Sequence, residues 1–542
     1  MRRLSRSALV AAARRQPWSP LLALIALQLV GVLLFALSVP RNGWLFNHGG
    51  DQLWYATTGW LLAQGEMPIP HVSFGWPLAL APFTLVSGRE FVGLLPPLVL
   101  LNVLVFNPLA TVGMYGIGAR IGGRALGYWT ATLWASAPFA LVLLTFSKYH
   151  EVIVEQFLPQ ALGLTSLADF PSMVLLIGAA FFALVALQDR DVNTAVLAGL
   201  LAGAAVSIKP SNALFVAGIA LACAVAARFR EAAAFALGLA PSLLVLLVWK
   251  VKGLGELPVA AGESARLAAG LSAVSLDSYG DFDWTTLRRN IGDVEEVIRG
   301  GLILLLAPLV GAVALARRSY PAALLCAGWL AAFVLIKGPS QFASTEGGTF
   351  FRLLTPAFPA YILLSALVPL VLFEAAGVAR RGSEVTQRFR IGRRALVAGV
   401  VVTGVLPLLA VVAADPLDGP ERAVRNGNTL VPVDGRIGLK TQREGAGVTL
   451  RWTDPSDRSS SIFYIVYRGE PGSATRCSDD GGAEVCELSM TPLASTRDQS
   501  WQDESPPDEA EYRIAVAANS VDDPLQGDAF LFSEPSVSSR SG

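Results

Sequence analysis

The chain has 542 residues, of which 53% are hydrophobic and only 15% are charged, and its mean hydropathy is +0.51. A soluble chain of this length is normally about one-quarter charged, so the composition excludes an ordinary soluble enzyme and indicates a membrane protein. Basic and acidic residues balance at 42 each, which gives no general attraction for nucleic acid.

The first 20 residues are basic, and a long apolar run follows from Leu21 to Val39. This run is longer than the apolar core of a secretory signal peptide, and no small-residue cleavage site follows it. We therefore interpret 1–20 as a cytoplasmic N-terminus and 21–39 as a retained first membrane span.

About eleven apolar segments between residues 21 and 414 are candidates for membrane spans, each of which needs roughly 20 apolar residues. They are 21–39, 92–118, 127–146, 170–188, 195–208, 211–227, 232–250, 300–316, 320–337, 353–375 and 395–414. Lys209-Pro210 separates two of the shorter segments, which predicts a hairpin of short tilted helices at that point.

The loops between these segments follow the positive-inside rule. Those assigned to the cytoplasm are short and mostly basic, whereas those assigned to the outside are longer and contain most of the acids. The predicted outer loops are 40–91, 147–169, 251–299 and 338–352. This pattern places the C-terminus outside the cytoplasm.

Two outer-loop segments, 51–64 and 283–298, have the pattern of amphipathic helices at a membrane interface. Such helices could simply cap the bundle of spans. Alternatively, they could form the floor of an extracytoplasmic site.

The composition becomes polar after about Ala414, which predicts a linker at 415–435 and a separate domain at 436–542. Alternating segments at 448–452, 462–468 and 512–517, broken by turn residues, predict a β-sandwich. This domain resembles fibronectin type III, with Trp452 as the buried tryptophan of an early strand. Domains of that kind usually bind a ligand or act as spacers.

Four cysteines fall into two groups. Cys223 and Cys326 lie in apolar runs and are interpreted as packing residues. Cys477 and Cys486 lie close together in the polar C-terminal region, so they should form a disulfide if that region is extracytoplasmic. In a reducing compartment they would stay free.

Charged and polar residues near membrane level are costly, so those on the predicted outer face are candidates for a functional site. They are His48 and Asp51 after the first span, Lys148, His150, Glu151 and Asp169 in the second outer loop, Lys209 at the helix break, and Arg352 at the start of span 353–375.

Three segments that contain these residues resemble the GT-C superfamily of integral-membrane glycosyltransferases. The first outer loop of that family is similar to GGDQLWYATTGWLLAQGEMP followed by GWPLALAP. Its short hairpin is similar to GLLAGAAVSIKPSNALF, and its late arginine-initiated span is similar to FRLLTPAFPAYILLSA. Together these segments cover most of residues 20–375, and their order and sidedness are more specific than any one motif.

The resemblance implies transfer of a hexosyl or pentosyl group from a polyprenyl-phosphate donor to a cell-envelope glycan, lipid or protein at the extracytoplasmic face. An inverting displacement needs a base to remove the acceptor proton, and Asp51 occupies the family position for it. The leaving phosphate needs fixed cations, for which Arg352 and Lys209 are candidates. Lys148 and His150 are further candidates for binding the donor phosphate.

Asp169 is a second candidate catalytic residue, which could orient the acceptor or help to bind a divalent cation. Some members of the family use a metal and others do not, and no carboxylate–histidine cluster in this sequence requires one. Many relatives also carry two adjacent acids in the first loop, whereas Gln52 follows Asp51 here. The metal dependence and any two-acid site therefore stay open.

A purely structural role is open for each candidate. Asp51 and Asp169 could each cap the helix that follows. Arg352 and Lys209 could be interfacial anchors that extend toward lipid headgroups. His150 could be an ordinary surface residue.

The alternative function is a transporter or flippase of lipid-linked saccharides. Such proteins often contain inverted repeats and polar residues near the bilayer midplane. No internal repeat is evident here, and the candidate charges gather on one face. A non-catalytic scaffold for the β domain would need only one span. The sequence therefore favours a glycosyltransferase of the cell membrane.

Overall fold

The described residues of the computed structural model are 18–38, 50–67, 72–87, 91–254, 283–340, 342–369, 371, 391–416, 422–426, 429–454, 462–472, 477–480, 483–518 and 528–539. Residues 1–17 of the predicted N-terminal segment 1–20, His48, and residues 255–282 of a predicted outer loop lie outside them.

The chain divides into two compact units, which are described separately. The first comprises 1–46, 97–246 and 281–409, and the second comprises 47–96, 247–280 and 410–542. Most of the apolar helices belong to the first unit, and the β-strands belong to the second.

The described helices are α1 (Trp18–Ser38), α2 (Gly50–Ala63), α3 (Gly75–Ser87), α4 (Phe91–Leu101), α5 (Asn107–Leu144), α6 (Leu158–Ala161), α7 (Asp169–Asp189), α8 (Val192–Ile208), α9 (Phe215–Val225), α10 (Phe229–Leu254), α11 (Trp284–Val297), α12 (Gly301–Ala316), α13 (Tyr320–Lys337), α14 (Thr349–Leu354), α15 (Phe358–Ser365), α16 (Arg393–Val400) and α17 (Leu406–Ala413). Short 3-10 or π-helical turns join several of them, at Asn102–Phe106, Ser147–Tyr149, Glu151–Phe157, Pro210–Leu214, Thr355–Ala357 and Val401–Val405.

Within the described part of the chain, six helical segments are long and apolar enough to cross a bilayer, which supports an integral membrane protein. They are Trp18–Ser38, Gly93–Leu144, Asp169–Asp189, Phe229–Gly253, Tyr320–Lys337 and Arg393–Ala413. Five shorter apolar helices accompany them, so the predicted count of about eleven spans stays a prediction.

The longest of these segments contains a sharp break. Gly122 (φ −146°, ψ 22°) and Gly123 (φ 84°, ψ 178°) are not helical, and only glycine readily adopts the positive φ of Gly123. The rings of Tyr115 and Tyr128, on opposite sides of the break, lie 4.9 Å apart, which shows that the chain turns back on itself. This break separates the predicted spans 92–118 and 127–146.

Helix α7 occupies the centre of the first unit. In its membrane-length window 78% of the residues are buried, a larger share than in the other long apolar helices. Helices α5, α8, α9 and α13 contribute to the core cluster around it. The predicted hairpin is confirmed, because α8 ends at Ile208 and α9 begins at Phe215 after a 3-10 turn.

Helices also form at both predicted amphipathic segments. In the second unit, α2 packs closely on α3, and a Cβ on Gly59 would lie 2.9 Å from the carbonyl oxygen of Pro77. In the first unit, the Asp283 carboxylate caps α11 by accepting a 2.9 Å hydrogen bond from the backbone N–H of Thr285. Hydrogen bonds from Thr285 and Thr286 lower the pKa of Asp283 to about 2.

The strands are β1 (Glu66–Met67), β2 (Asp415–Pro416), β3 (Arg422–Asn426), β4 (Thr429–Pro432), β5 (Lys440–Glu444), β6 (Gly447–Arg451), β7 (Ile462–Gly469), β8 (Cys477–Asp480), β9 (Ala483–Glu487), β10 (Thr491–Thr496), β11 (Ser500–Asp503), β12 (Glu509–Ala518), β13 (Asp528–Phe532) and β14 (Ser536–Ser539). The sheets of the C-terminal region have the orders β10-β7-β12-β13 with β14 also on β12, β11-β6-β5, and β4-β3-β9-β8. The three predicted strand segments appear as β6, β7 and β12.

The C-terminal core is aromatic. Trp452 is 3% exposed, and its ring lies 5.4 Å from that of Tyr464. Tyr512 is fully buried and donates a 2.8 Å hydrogen bond to Asp503. A β-domain is therefore present, whereas its membership of the fibronectin type III class stays a prediction.

The segment predicted as a linker contains strands. In β3 and β4, Val424 and Val431 are each 1% exposed and belong to a core cluster of the C-terminal strands. Burial of these valines explains why β3 and β4 join a sheet. Cys477 and Cys486 are direct cross-strand partners on β8 and β9, and their disulfide stays a prediction.

Candidate functional site

Asp169 begins the central helix and is almost completely buried, with 3% of the residue exposed. Ala168 occupies the capping position, where no side-chain hydrogen bond is made. The Asp169 carboxylate instead contacts two cations from other parts of the chain. Its Oδ1 atom accepts from Lys209 Nζ, and its Oδ2 atom lies 3.8 Å from Arg352 Nε.

The break in the α8–α9 hairpin positions Lys209. The residue follows Ile208 with an extended backbone (φ −140°, ψ 106°), because Pro210 cannot continue the helix. The buried Asn212 side chain donates a 2.9 Å hydrogen bond to the carbonyl of Ala205 across this break. The turn is therefore fixed internally, and the lysine extends from it to Asp169.

A second short helix positions Arg352. Helix α14 begins after Gly348, which has a positive φ of 73°, and a 3-10 turn at Thr355–Ala357 separates it from α15. Phe350 and Leu354 of α14 are buried, whereas the Arg352 side chain is 28% exposed. The predicted span 353–375 is therefore interrupted near its beginning, and Arg352 lies within α14.

The charges of this group are arranged asymmetrically. The Asp169 side chain is 4% exposed, while those of Lys209 and Arg352 are 20% and 28% exposed. Two cations and one carboxylate give the group a formal charge of +1 (2 − 1). The group can therefore present positive charge to an anionic ligand. We call Asp169, Lys209 and Arg352 the ionic triad.

Lys148 and His150 make different contacts. Lys148 Nζ donates a 3.2 Å hydrogen bond to the Tyr149 hydroxyl, which donates to Glu346 Oε1 at 2.9 Å. The hydrogen bond with Tyr149 raises the pKa of Lys148. His150 Nε2 lies 3.2 Å from the carbonyl oxygen of Thr145. The ion-pair partners of Asp169 are Lys209 and Arg352, so a role of Lys148 and His150 in binding the donor stays a prediction.

Asp51 lies in the first turn of α2 and is half-buried. The helix begins at Gly50, one residue before the predicted cap. Asp51 belongs to the second compact unit, whereas the ionic triad belongs to the first. The hypothesis that Asp51 and Arg352 border one pocket stays a prediction.

Metal binding was left open by the sequence. Among the described residues, no group of three or more histidine, cysteine, aspartate and glutamate side chains could hold a metal ion. The acidic and cationic groups of the ionic triad bind one another.

Several polar residues that contact this region were not recognised in the sequence. Tyr149 and Glu346 form a long-range hydrogen bond, and Asn212 closes the turn that carries Lys209. Asn102 and Asn107 contact the segment before Asp169. An asparagine inside an apolar run was the available signal for the last two, because its burial requires hydrogen-bond partners.

Comparisons with known proteins returned no matching family model and no matching curated protein. The chain is similar to solved structures of the archaeal oligosaccharyltransferase from Archaeoglobus fulgidus. AglB in complex with an inhibitory peptide and a dolichol-phosphate is 13% identical with a TM-score of 0.40, and the match covers 74% of this chain and 57% of that chain. The apo form is 15% identical with a TM-score of 0.36, over 74% of this chain and 56% of that one.

A third solved structure is the same oligosaccharyltransferase tethered to an acceptor peptide that contains the NVT sequon. It is 13% identical with a TM-score of 0.37, and the match covers 76% of this chain and 56% of that chain. The matches thus span little more than half the length of these neighbours.

Proposed function

We propose that this chain is a membrane glycosyltransferase that transfers a sugar from a polyprenyl-phosphate donor to a cell-envelope acceptor. The observation that carries the proposal is the ionic triad, in which a buried carboxylate holds Lys209 and Arg352 at a more exposed position. Both cations belong to segments that resemble GT-C glycosyltransferases in sequence. The acceptor class remains a glycan, a lipid or a protein.

The chemistry of sugar transfer suits two fixed cations. When the bond between the sugar and the carrier phosphate breaks, negative charge increases on the departing phosphate. Cations that are already in position stabilise that charge without reorganising during the reaction. Arginine also forms strong charge-assisted hydrogen bonds to phosphate oxygens. We assign Lys209 and Arg352 to this role in the proposed reaction.

The triad geometry favours a positioning role for Asp169 over the catalytic role considered from the sequence. Its carboxylate is 4% exposed and is bound by two cations. A general base must reach the proton that it removes, and a buried carboxylate held by cations is poorly suited to that task. We therefore keep Asp51 as the proposed base, in an inverting displacement at the extracytoplasmic face.

The first experiment measures binding of decaprenyl phosphate to the purified full-length chain in detergent. We expect Arg352→Ala and Lys209→Ala each to weaken binding by roughly 10-fold or more, the usual effect of losing a charge-assisted hydrogen bond of about 1.5–3 kcal/mol. The control is Arg120→Ala, which removes a buried arginine paired with Asp189 at the other end of α7.

Arg120→Ala should reduce thermal stability but leave decaprenyl phosphate affinity within about twofold. A twofold change in Kd corresponds to less than about 0.5 kcal/mol of binding free energy. Equal weakening by all three variants would show a general loss of structure and contradict the assignment. Absence of binding to the folded unsubstituted chain would reject a polyprenyl-phosphate donor. Sugar transfer to an envelope acceptor would separate this enzyme from a flippase that binds the same headgroup.

A further inference from the structure

The segment directly before Asp169 is buried although it is not helical. All residues from 162 to 168 are buried, and Gly163 has a positive φ of 76°. In a membrane protein, the polar backbone of such a segment must be hydrogen-bonded within the protein. The carbonyl groups of this segment therefore need internal donors.

Two asparagine side chains supply those donors. Asn102 Nδ2 donates to the carbonyl oxygens of Gly163 (3.0 Å) and Thr165 (3.2 Å), so both protons of its amide are used. Asn107 Nδ2 donates to the carbonyl oxygen of Leu162 at 3.0 Å. Both asparagines are at most 1% exposed. Three carbonyls of the segment are thus held by two buried amides.

Glycine allows the segment to approach Asn102. A Cβ at Gly163 would lie 2.9 Å from the Cβ of Asn102 and 2.8 Å from Cδ1 of Phe170. Any larger residue would therefore push the segment away from Asn102 or Phe170. The close fit and the two amide hydrogen bonds define one position for this backbone.

The polar contacts continue to the first span. Gln28 Nε2 lies 3.5 Å from Asn107 Oδ1, and the Thr111 hydroxyl donates to Gln28 Oε1 at 2.7 Å. Gln28 is 4% exposed and Thr111 is fully buried. A connected set of buried hydrogen bonds fixes side-chain positions more strongly than isolated apolar contacts do.

Asn102 begins a π-helical turn, Asn102–Phe106, which joins α4 to α5, and Asn107 directly follows this turn. Turns of this kind occur frequently at functional sites. The turn places both amides against the segment 162–168.

We infer that Asn102 and Asn107 are positioning residues for the ionic triad. The segment 162–168 leads directly into Asp169, and only three residues separate its last held carbonyl, that of Thr165, from Asp169. The position of the segment therefore determines where the Asp169 carboxylate meets its two cations. The identity of the anion in this inference rests on the proposed function. The effect on the ion pair can be measured without any ligand.

The ligand-free test is acetylation of Lys209 in the intact, folded protein by sulfo-NHS acetate, followed by digestion and mass spectrometry of the peptides. Loss of the Asn102 amide should displace Asp169 and release Lys209, so Asn102→Ala should increase the labelling rate at least threefold. The matched control is Gln188→Ala, which removes an amide contact with the backbone of Arg120 at the other end of α7. That variant should leave the Lys209 labelling rate unchanged.

The second test is a double-mutant cycle on decaprenyl phosphate affinity. Asn102→Ala changes no charge, so it should weaken binding about 5- to 10-fold through geometry alone. In an Asp169→Asn background, it should change binding less than twofold, because its effect passes through Asp169. A purely structural role would produce the same loss in both backgrounds, and this result would overturn the inference.

Two further outcomes are informative. If Asn102→Ala does not fold, Asn102→Ser, which keeps one donor, should give intermediate labelling and affinity. If the folded unsubstituted chain binds no decaprenyl phosphate, the proposed function fails while the labelling test still decides the positioning role. Unchanged Lys209 labelling in both Asn102 variants would overturn that role.

Discussion

The two ends of helix α7 carry ion pairs of opposite design. At one end the acid is buried and the cations are partly exposed, since Asp169 is 4% exposed while Lys209 and Arg352 are 20% and 28% exposed. At the other end the cation is buried, since Arg120 is 5% exposed and Asp189 is 19% exposed. The first arrangement presents positive charge to a ligand, whereas the second uses its positive charge to hold helices together.

This comparison shows why a count of ion pairs does not identify a functional site. Both pairs join distant parts of the chain, and both include a terminal residue of the same helix. The informative difference is which partner is withdrawn from solvent. A buried acid with accessible cations forms a site for anions, because its own charge fixes the cations without covering them.

The largest expected effect separates proton removal from phosphate binding. Asp51→Asn should reduce sugar transfer by about 10²- to 10⁴-fold, the usual contribution of a general base. Decaprenyl phosphate affinity should stay within about twofold, because the ionic triad is intact in this variant. A change of that size is less than about 0.5 kcal/mol of binding free energy. The assay is transfer of a radiolabelled sugar from lipid-linked donors in membranes that contain equal amounts of each variant.

Asp415→Asn is a suitable control for Asp51→Asn, because Asp415 is an exposed aspartate of the same compact unit. It should retain full transfer. If Asp51→Asn transfers sugar at the rate of the unsubstituted chain, Asp51 is not the base. The comparison of the two ends of α7 would still hold, because it does not depend on Asp51.

The next effect concerns the free energy of unfolding. The loss should be larger at the Asp189 end of α7, to which no function is assigned, than at the Asp169 end. Asp189→Ala leaves the buried Arg120 without its carboxylate, which should cost about 3 kcal/mol in the free energy of unfolding. Asp169→Ala leaves cations that can be hydrated, so we expect a loss of about 1 kcal/mol, as for partly exposed pairs. Thermal melts in detergent measure both variants.

The reverse order of these two losses would mean that exposure does not determine the energetic difference between the ion pairs. The comparison would then need another physical basis. Decaprenyl phosphate binding by Asp189→Ala provides an independent check, and it should match that of the unsubstituted chain.

The smallest expected effect tests on which side of the membrane the C-terminal domain lies. If the C-terminal domain is extracytoplasmic, Cys477 and Cys486 should be oxidised in protein isolated from cells under thiol-blocking conditions. Reduction should then lower the stability of the domain by about 2 kcal/mol, the low end for a disulfide that closes a short loop. Intact-mass analysis with a thiol-alkylating reagent counts the free thiols.

Four alkylated cysteines without prior reduction would contradict the extracytoplasmic assignment, since all four in the sequence would then be thiols. Two alkylated cysteines after denaturation are expected, at Cys223 and Cys326, which are free in the structure.

Local signals made much of the helical pattern predictable. Lys209-Pro210 marked the break between α8 and α9, because proline cannot donate the hydrogen bond that would continue the helix. The apolar run at 170–188 predicted α7 to within one residue at each end. Alternation with aromatic residues similarly located β6, β7 and β12.

Long-range pairing was not predictable from those signals. The sequence identified Asp169, Lys209 and Arg352 separately, but Lys209 lies 40 residues from its carboxylate partner, and no periodicity specifies which acid meets which cation. Asn102 was included in an apolar run because one amide barely changes local hydropathy. Its importance depends on a non-helical segment more than 60 residues away, which folding brings against it.

The interrupted span at Arg352 has a related cause. The sequence 353–375 contains a single charged residue, Glu374, near its end, so a hydropathy window joins it into one helix. The structure contains a 3-10 turn at Thr355–Ala357, where Pro356 follows the first helical turns and Phe358 begins α15. Hydropathy indicates whether a segment prefers lipid or water, and it does not report such a change in backbone geometry.

The most direct test of the central claim is an experimental structure of the full chain in a lipid nanodisc with decaprenyl phosphate. We expect the phosphate oxygens to lie about 3 Å from Lys209 Nζ and from the guanidinium of Arg352, the distance of a charge-assisted hydrogen bond. Asp169 should remain behind both cations without touching the phosphate. A headgroup bound elsewhere, with neither cation in contact with the phosphate, would contradict the account.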